Sequence, residues 1–460
     1  MNSCPTNRFL STIIVMDFNT FEDVTAYLDS FSYSDKAKAP GFLRGARVER
    51  MYLLLSHLGH PERDYKTIHI AGSKGKGSTA LYISTLLKSA NVKCGLYLSP
   101  HLRDYRERFT LSGSFFPTDF LIECARELKE KIDSFSLPPS LGSSKPSTFE
   151  MYTLYAYLLF SRSHCEQAVI ETGIGGRLDA TNTISSYAEV LTAVELEHRE
   201  LLGNTIREIA IEKSKIIKPF STVFIGKERG DAKEVFIKEA KEMNASYFTL
   251  DNELLNYQTK TTEKGEECTI NFKDGSSYSL TLSMRGEVQV QNAALAILCA
   301  KKLGFFNGEE SLRAIEKATL PGRFEMHSLK NKTVVLDVAH TKSSMDNTIS
   351  SFNELFKEKK SRVCIFGAVA GKDTKGMLSS ILSSFDNVII SKPGSFKKSN
   401  IEEIYKAACD LKRKEQSIFL LEDAAPAFAK ALTLGSAILI AGSFYLAANF
   451  DEVIDGYKCK

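Results

Sequence analysis

The chain has 460 residues, 43% of them apolar and 25% charged, with a formal net charge of +3. That length exceeds one ordinary hydrophobic core and implies two or three domains of a soluble globular protein. The small net charge makes no case for a nucleic-acid or membrane partner, and no stretch approaches the ~20 apolar residues of a membrane span.

The first feature in chain order is a short apolar run, Phe9 to Met16, behind one arginine. It is too short for a secretory signal and lacks a small-residue cleavage site. Met16 offers an alternative start, which would leave residues 1–15 as an extension. Nine cysteines, from Cys4 to Cys459, are scattered without a CxxC pair. Their odd number excludes a complete disulfide framework, and they read as reduced, buried thiols of a cytoplasmic protein.

Residues 69–79 carry the strongest signal. An apolar strand, Thr67 to Ala71, feeds the turn Gly72-Ser73-Lys74-Gly75-Lys76-Gly77-Ser78, and a helix with apolar Leu81, Ile83, Leu86 and Leu87 follows. Glycines let backbone N–H groups close on a polyphosphate, and the helix N-terminus adds partial positive charge. Lys76 is placed for the β- and γ-phosphates, and Ser78 or Thr79 for a magnesium ion. The spacing is not the regular P-loop: only Ser73 and Lys74 separate Gly72 from Gly75, and Gly77 follows Lys76. The competing reading is a flexible strand-to-helix turn that binds nothing.

Further strands are expected at Gly95–Leu98, Ala168–Glu171, Val190–Val194 and Val223–Ile225, with helices such as Glu150–Ser161 and Thr205–Ile217 between them. That alternation implies parallel strands with crossover helices. Glu171 ends an apolar strand before a glycine turn, the edge at which open α/β sheets bind ligands. Three short strand-like runs, Tyr247–Leu250, Cys268–Phe272 and Tyr278–Leu282, then predict a small antiparallel unit; Lys273-Asp274-Gly275 is its hairpin turn. A helix over Val290–Lys302 follows. A second α/β series comprises Thr333–Leu336, Arg362–Phe366, Val388–Ile390, Ile418–Leu421 and Ala437–Ala441. The fold class is therefore α/β: an ATP-binding P-loop domain over residues 1–318 with a mostly parallel sheet plus the antiparallel unit, and a smaller α/β domain over residues 319–460.

Other motifs fall in order along this frame. They are Ser99-Pro100-His101-Leu102 with Glu107-Arg108, Thr148-Phe149-Glu150-Met151-Tyr152-Thr153, Glu171-Thr172-Gly173-Ile174-Gly175-Gly176-Arg177-Leu178-Asp179, and His198 with Leu202-Gly203. Lys213, Gln289 with Asn292, Pro321-Gly322-Arg323-Phe324-Glu325, Asp337 with Ala339-His340, and Gly442-Ser443-Phe444-Tyr445 complete the set. Together they resemble the folylpolyglutamate synthase/dihydrofolate synthase family, a branch of the Mur ligase superfamily, from about residue 40 to about 446.

The resemblance implies an ATP-dependent ligase that adds L-glutamate to a folate or dihydropteroate carboxylate through an acyl phosphate. It implies Mg2+, bound by Ser99, Glu171 and His198, and a carbamylated lysine at Lys213. Asp337 would hold the ribose of ATP, and Gln289 and Asn292 would lie near its adenine. His340 and Arg323 would face the phosphates or the incoming glutamate. Ser443 would belong to the glutamate pocket, and Ser99-Pro100-His101 to the pterin side of the cleft. The partners are small molecules, with no nucleic acid or membrane, and the chain is expected to be a monomer. The chain departs from the family pattern at Glu197, Ser214-Lys215, Val288, Val338 and Thr341, which bears on substrate detail. Two rivals stay open: a related Mur-type ligase acting on another carboxylate, and a P-loop regulatory ATPase.

Overall fold

The computed structural model describes residues 18–31, 45–228, 230–358, 361–394 and 399–458. The alternative start at Met16, Cys4 and Cys459 lie outside the described residues. Strands β1 (Lys66–Ala71), β2 (Cys94–Tyr97), β3 (Phe109–Leu111), β4 (Ser114–Phe115), β5 (Gln167–Glu171), β6 (Ala188–Leu191), β7 (Thr222–Ile225) and β8 (Ser246–Thr249) form one sheet in the order β4-β3-β2-β5-β1-β6-β7-β8. From β2 to β8 the pairings are parallel, while β3 and β4 extend the sheet antiparallel. Parallel strands covered on both faces read as unbroken apolar runs, as the Ile68–Ala71 and Ala168–Ile170 stretches do.

The strand period of two sorts these side chains onto two cores. Ile68, Ile70 and Val169 face helices Lys76–Ser89 and Glu287–Leu303 through Ile83, Leu86 and Ile297. Ala168 and Ile170 face helix Thr148–Arg162 through Tyr155 and Leu158. The loops that follow the carboxyl ends of β1, β5 and β6 build the site.

Strands β9 (Leu254–Thr261), β10 (Glu266–Phe272) and β11 (Ser277–Leu282) form a separate antiparallel sheet in the order β11-β10-β9. The hairpin turn at Lys273-Asp274-Gly275 is closed by Phe272 N–H donating to Ser276 O at 2.9 Å. Here the expected membership differs: the Tyr247–Leu250 run is β8, the parallel edge of the first sheet, and the third antiparallel strand is β9. β9 is mostly exposed between its buried ends, Leu254 and Thr261, so it lacks the alternation that marks a half-buried strand.

Strands β12 (Glu325–Leu329), β13 (Lys332–Leu336), β14 (Arg362–Phe366), β15 (Asn387–Ile390), β16 (Ser417–Leu420) and β17 (Ala437–Ala441) form the third sheet, ordered β12-β13-β17-β14-β15-β16. All its pairings are parallel except β12 with β13. β12 is not among the strands expected from the sequence, and it follows directly on the Pro321-Gly322-Arg323-Phe324 segment. Six of the cysteines, such as Cys94 and Cys364, are free and buried, and a seventh, Cys409, is partly so. No helix among the described residues is long and apolar enough to cross a membrane.

Helix Thr148–Arg162 is buried on nearly every side, so its entry must be fixed by polar contacts. Ser147 caps it, and Glu150 completes a capping box while pairing with Arg50 at 2.9 Å. The Arg50 guanidinium also donates to the carbonyls of Leu141, Ser143 and Lys145, at 3.2, 2.6 and 2.8 Å. Both side chains are almost wholly buried. Breaking one side of a buried pair strands the other charge, so Arg50→Ala should cost about 3–5 kcal/mol of unfolding free energy. Equilibrium denaturation in urea would measure this, and a loss below about 1 kcal/mol would show that other contacts hold the 138–147 loop.

Candidate active site

β1 ends at Ala71, and the loop 72–75 crosses to the helix that begins at Lys76. Ser73 and Lys74 donate their N–H groups to Ala193 O at 2.7 and 3.1 Å, which fixes the loop over the end of β6. Gly75 is the helix N-cap with φ +82°, and a Cβ there would lie 2.4 Å from Asn292 Oδ1. Asn292 donates to Gln289 Oε1 at 3.2 Å, so both expected nucleotide residues sit on helix Glu287–Leu303 directly beneath the glycine loop.

Lys76 Nζ donates to Gly72 O at 3.1 Å and lies 4.0 Å from Glu171 Oε1. Lys213 Nζ donates to the same Gly72 carbonyl at 2.8 Å and pairs with Glu197 at 2.9 Å. The Lys213 side chain is only 1% exposed. Burial pushes its pKa down to about 8, with Lys76 pushing the same way and Glu197 opposing. Burial raises the Glu197 carboxyl, but Lys213 and Lys76 outweigh that and hold it at about 2. Glu171 Oε2 accepts from Ser99 N–H at 2.9 Å. Burial raises the Glu171 pKa, with Lys76 opposing, so this carboxylate needs a cation. The Ser99–Pro100 peptide is cis.

His340 Nε2 and the ammonium of Lys74, from the glycine loop, lie 3.3 Å apart. His340 Nδ1 lies 2.9 Å from Val338 O, a pure acceptor, so Nδ1 carries the hydrogen and Nε2 accepts from Lys74. Burial, then Lys74, pushes His340 down to about 3, and burial pushes Lys74 down to about 8. Lys372 from the loop after β14 lowers both of these groups and also acts on His198. His198 itself has φ +45° at the N-cap of the short helix Arg199–Leu202. Its electrostatic neighbours are Glu197, Lys372, Lys213 and Lys76.

Arg323 enters from the segment before β12. Its guanidinium lies 5.0 Å from the Phe444 ring centroid and feels Asp337, Glu171 and Glu107. Its Nη1 is buried without a hydrogen-bond partner, which suits it to an anion. Asp337 accepts from Phe324 N–H, Ala339 N–H and Thr348 Oγ1, so its carboxylate also staples the turn after β13. Ser443 Oγ accepts from Leu446 N–H at 3.0 Å and thus caps helix Phe444–Lys458. His101 accepts from Arg108 Nε at 2.8 Å and packs 4.1 Å from the Tyr105 ring.

A cleft runs between these walls, lined by Gly77, Ser99, Pro100, Glu171, Arg323 and Phe444 among others. The structure lines this cleft with Glu171 and Arg323, sets Lys76 beside Glu171, ties Lys213 to Lys76 through the shared Gly72 carbonyl, and joins Lys74 to His340. It keeps His101 apart, against Tyr105 and Arg108. Glu107 and Phe444, motif members without an expected site role, line the cleft, and Lys372 is an addition. Lys372 had a sequence signal: a lysine in a glycine turn, Gly371-Lys372-Asp373, a few residues after an apolar strand.

Residues 70–300 match the Mur ligase middle domain, and residues 322–444 match the Mur ligase glutamate ligase domain. The chain is 30% identical over 360 residues to the dihydrofolate synthase/folylpolyglutamate synthase of Bacillus subtilis, covering 77% of this chain and 82% of that one. It is 26% identical over 447 residues to the folylpolyglutamate synthase of Lacticaseibacillus casei, covering 95% and 99%. The structure of Mycobacterium tuberculosis folylpolyglutamate synthase complexed with ADP superposes with a TM-score of 0.83 at 26% identity, over 94% of this chain and 98% of that one.

The glycine loop offers a test that spares the core. Gly75→Ala places a side chain at positive φ and against Asn292, so affinity for a non-hydrolysable ATP analogue should fall roughly tenfold or more. The far-ultraviolet dichroism should stay unchanged. Calorimetric titration with unaltered affinity would separate the loop from the nucleotide.

Proposed function

The chain belongs to the folylpolyglutamate synthase/dihydrofolate synthase family of Mur ligases, and we propose that it uses this cleft to join L-glutamate to the carboxylate of a folate or of dihydropteroate. It is an ATP-dependent, amide-forming ligase. One observation carries the assignment of the site: Gly77 and Glu171, with Lys76 beside that carboxylate, share a single cleft with Arg323 and Phe444 of the C-terminal segment, while His340 of the same segment touches Lys74 of the glycine loop.

The chemistry follows from the poor leaving group of a carboxylate. An acceptor carboxylate oxygen attacks the γ-phosphorus of ATP, the bond to the β-phosphate breaks, and ADP leaves. The amine of glutamate then attacks the acyl carbon, phosphate leaves and the amine gives up its proton. Neither step needs a covalent enzyme group; both need neutralised phosphate charge, alignment and exclusion of water. In this reading the loop N–H groups, Lys76 and Lys74 hold the phosphates, and Arg323 offers its unpartnered Nη1 to the transferred group. Neutral His340 accepts from Lys74 and so sets the direction of that ammonium. Gln289 and Asn292 support the loop from below, and Asp337 presents its remaining lone pairs to the ribose. Ser443 keeps its hydroxyl hydrogen free to donate to a glutamate carboxylate. Ser99 and Pro100 form the acceptor wall, and His101, held apart by Tyr105 and Arg108, is left out of it.

Mg2+ suits the donor set at Glu171, a buried carboxylate whose Oε1 has Lys76 at 4.0 Å as its partner among the described residues. Bound there with Ser99 and His198, it would neutralise charge developing on the phosphates. Lys213 suits carbamylation because a neutral amine adds CO2, and with a pKa of about 8 roughly a tenth of it is neutral at pH 7 and half at pH 8. The carbamate would be an anion beside Glu197, so its formation should go with cation binding. We place the division between the two domains near residue 318, on the ground that the first sheet ends by Thr249 and the third begins at Glu325. The partners we propose are small molecules alone, acting on a cytoplasmic monomer.

The assay is incorporation of labelled glutamate with dihydropteroate and with tetrahydrofolate as acceptors. We expect both to be used at one centre, to compete, and to be lost together in Lys76→Ala, by roughly 100-fold or more. ATP hydrolysis that needs neither acceptor nor glutamate would instead favour a regulatory ATPase. With ¹³C-bicarbonate, a carbamate resonance should appear and grow between pH 7 and 9, because the neutral amine gains as pH rises. A resonance that persists in Lys213→Arg would remove Lys213 from that role.

A further inference from the structure

The loop 98–108 leaves the first sheet after β2 and returns to it at β3, yet its tip belongs to the C-terminal segment. Leu102 is buried in the apolar cluster of the third sheet, with Val338 and Leu446. It packs so tightly on the connecting turn that a Cβ on Gly322, which has φ +67°, would meet Leu102 at 3.0 Å and Val338 at 2.7 Å. The next residue, Arg103, grips Asp451 with two nitrogens, Nε to Oδ2 at 2.5 Å and Nη2 to Oδ1 at 2.6 Å. Its Nη2 also reaches Glu325 at 2.6 Å. Glu325 uses its other oxygen to accept from Gly322 N–H at 3.0 Å, so one carboxylate ties the arginine to the connecting turn.

Glu325, His327 and Asp451 lie close enough, within 4.8 Å of one another, to resemble a metal site. The cation is already present in the chain: the Arg103 guanidinium is hydrogen-bonded to both carboxylates. Burial, with Lys458 and Arg103, outweighs Glu325 and Asp451 and holds His327 below its ordinary value. Backbone bonds stiffen the loop behind the arginine, for Glu107 accepts from the N–H groups of Leu102, Arg103 and Asp104 at 2.7, 3.0 and 3.1 Å.

Four residues before Arg103 stands Ser99, whose N–H holds Glu171; eight residues before Asp451 stands Ser443, at the head of the same helix. We propose that Arg103 is a positioning residue: its clamp on Asp451 and Glu325 sets the acyl-phosphate side of the cleft in register with the glutamate side. The inference rests on the ligase reading. The reacting atoms then come from opposite walls, and a loosened clamp exposes the acyl phosphate to water. Water attacks in place of the amine, phosphate leaves, and the acceptor carboxylate is regenerated without an amide.

The readout is phosphate released per amide formed. Wild type should give close to one. Arg103→Ala should raise the ratio severalfold and lift the KM for glutamate roughly tenfold, with affinity for the ATP analogue within about threefold. Asp451→Asn should act similarly, the double variant should be little worse than either single one, and Arg103→Lys should recover part of the coupling. An unchanged ratio in Arg103→Ala, or fully additive effects, overturns the clamp. Small-angle scattering with the ATP analogue reads the same contact without turnover: Arg103→Ala should have the larger radius of gyration, and equal radii count against the proposal. A wild type that makes no amide with any folate, while this scattering difference persists, would instead fault the substrate assignment.

Discussion

The constraint behind the site is the burial of ammonium groups where three parallel strands end. Lys213 is nearly inaccessible and Lys74 largely so, and each keeps few hydrogen-bond partners. An unpaired charge in such a place would cost several kcal/mol. The fold meets this cost with the Gly72 carbonyl, which accepts from both Lys213 and Lys76, and with Glu197 and Glu171. The outcome is a cluster of buried cations, each with an acid nearby, beside an Arg323 Nη1 that has no hydrogen-bond partner.

The same constraint explains why the pKa values diverge among neighbours. Lys213 and Lys74 are brought down to about 8, His340 to about 3 and Glu197 to about 2. Near neutral pH the histidine is therefore an acceptor and the lysines are largely charged but easily discharged. A group that must reversibly add CO2, or lose a proton as phosphate contacts change, needs that balance.

Much of this frame is legible in the chain. β1 and β5 are covered on both faces, so they read as apolar runs, and a glycine turn at the end of each points to the site. Glu171 and Lys76 follow from position alone. β9 does not, because an exposed polar strand resembles a loop, and β8 is misassigned because a short apolar run carries no label for its partner strand. Asp337 and Ser443 were found for their place in the family motif, but their contacts to the turn after β13 and to a helix N-terminus are visible only in space. Arg103 has no local signal at all: its meaning depends on Asp451, 348 residues away.

The clamp must also let go, and its energetics allow that. The Arg103 side chain is 35% exposed and the Glu325 side chain 26%, so solvent screens the pairing, while the Asp451 side chain is 6% exposed. Exposed ion pairs are worth about 0–1 kcal/mol, and a bidentate arginine–carboxylate pair somewhat more. Leu102 adds an apolar anchor worth up to about 2 kcal/mol on full burial. A contact of that size biases the cleft toward closure without locking it. A stronger, fully buried pair would trade alignment for slow reopening, the step that limits many closing enzymes. The mixed solution, one buried leucine beside a half-exposed arginine, fits a cleft that must close on every cycle and reopen.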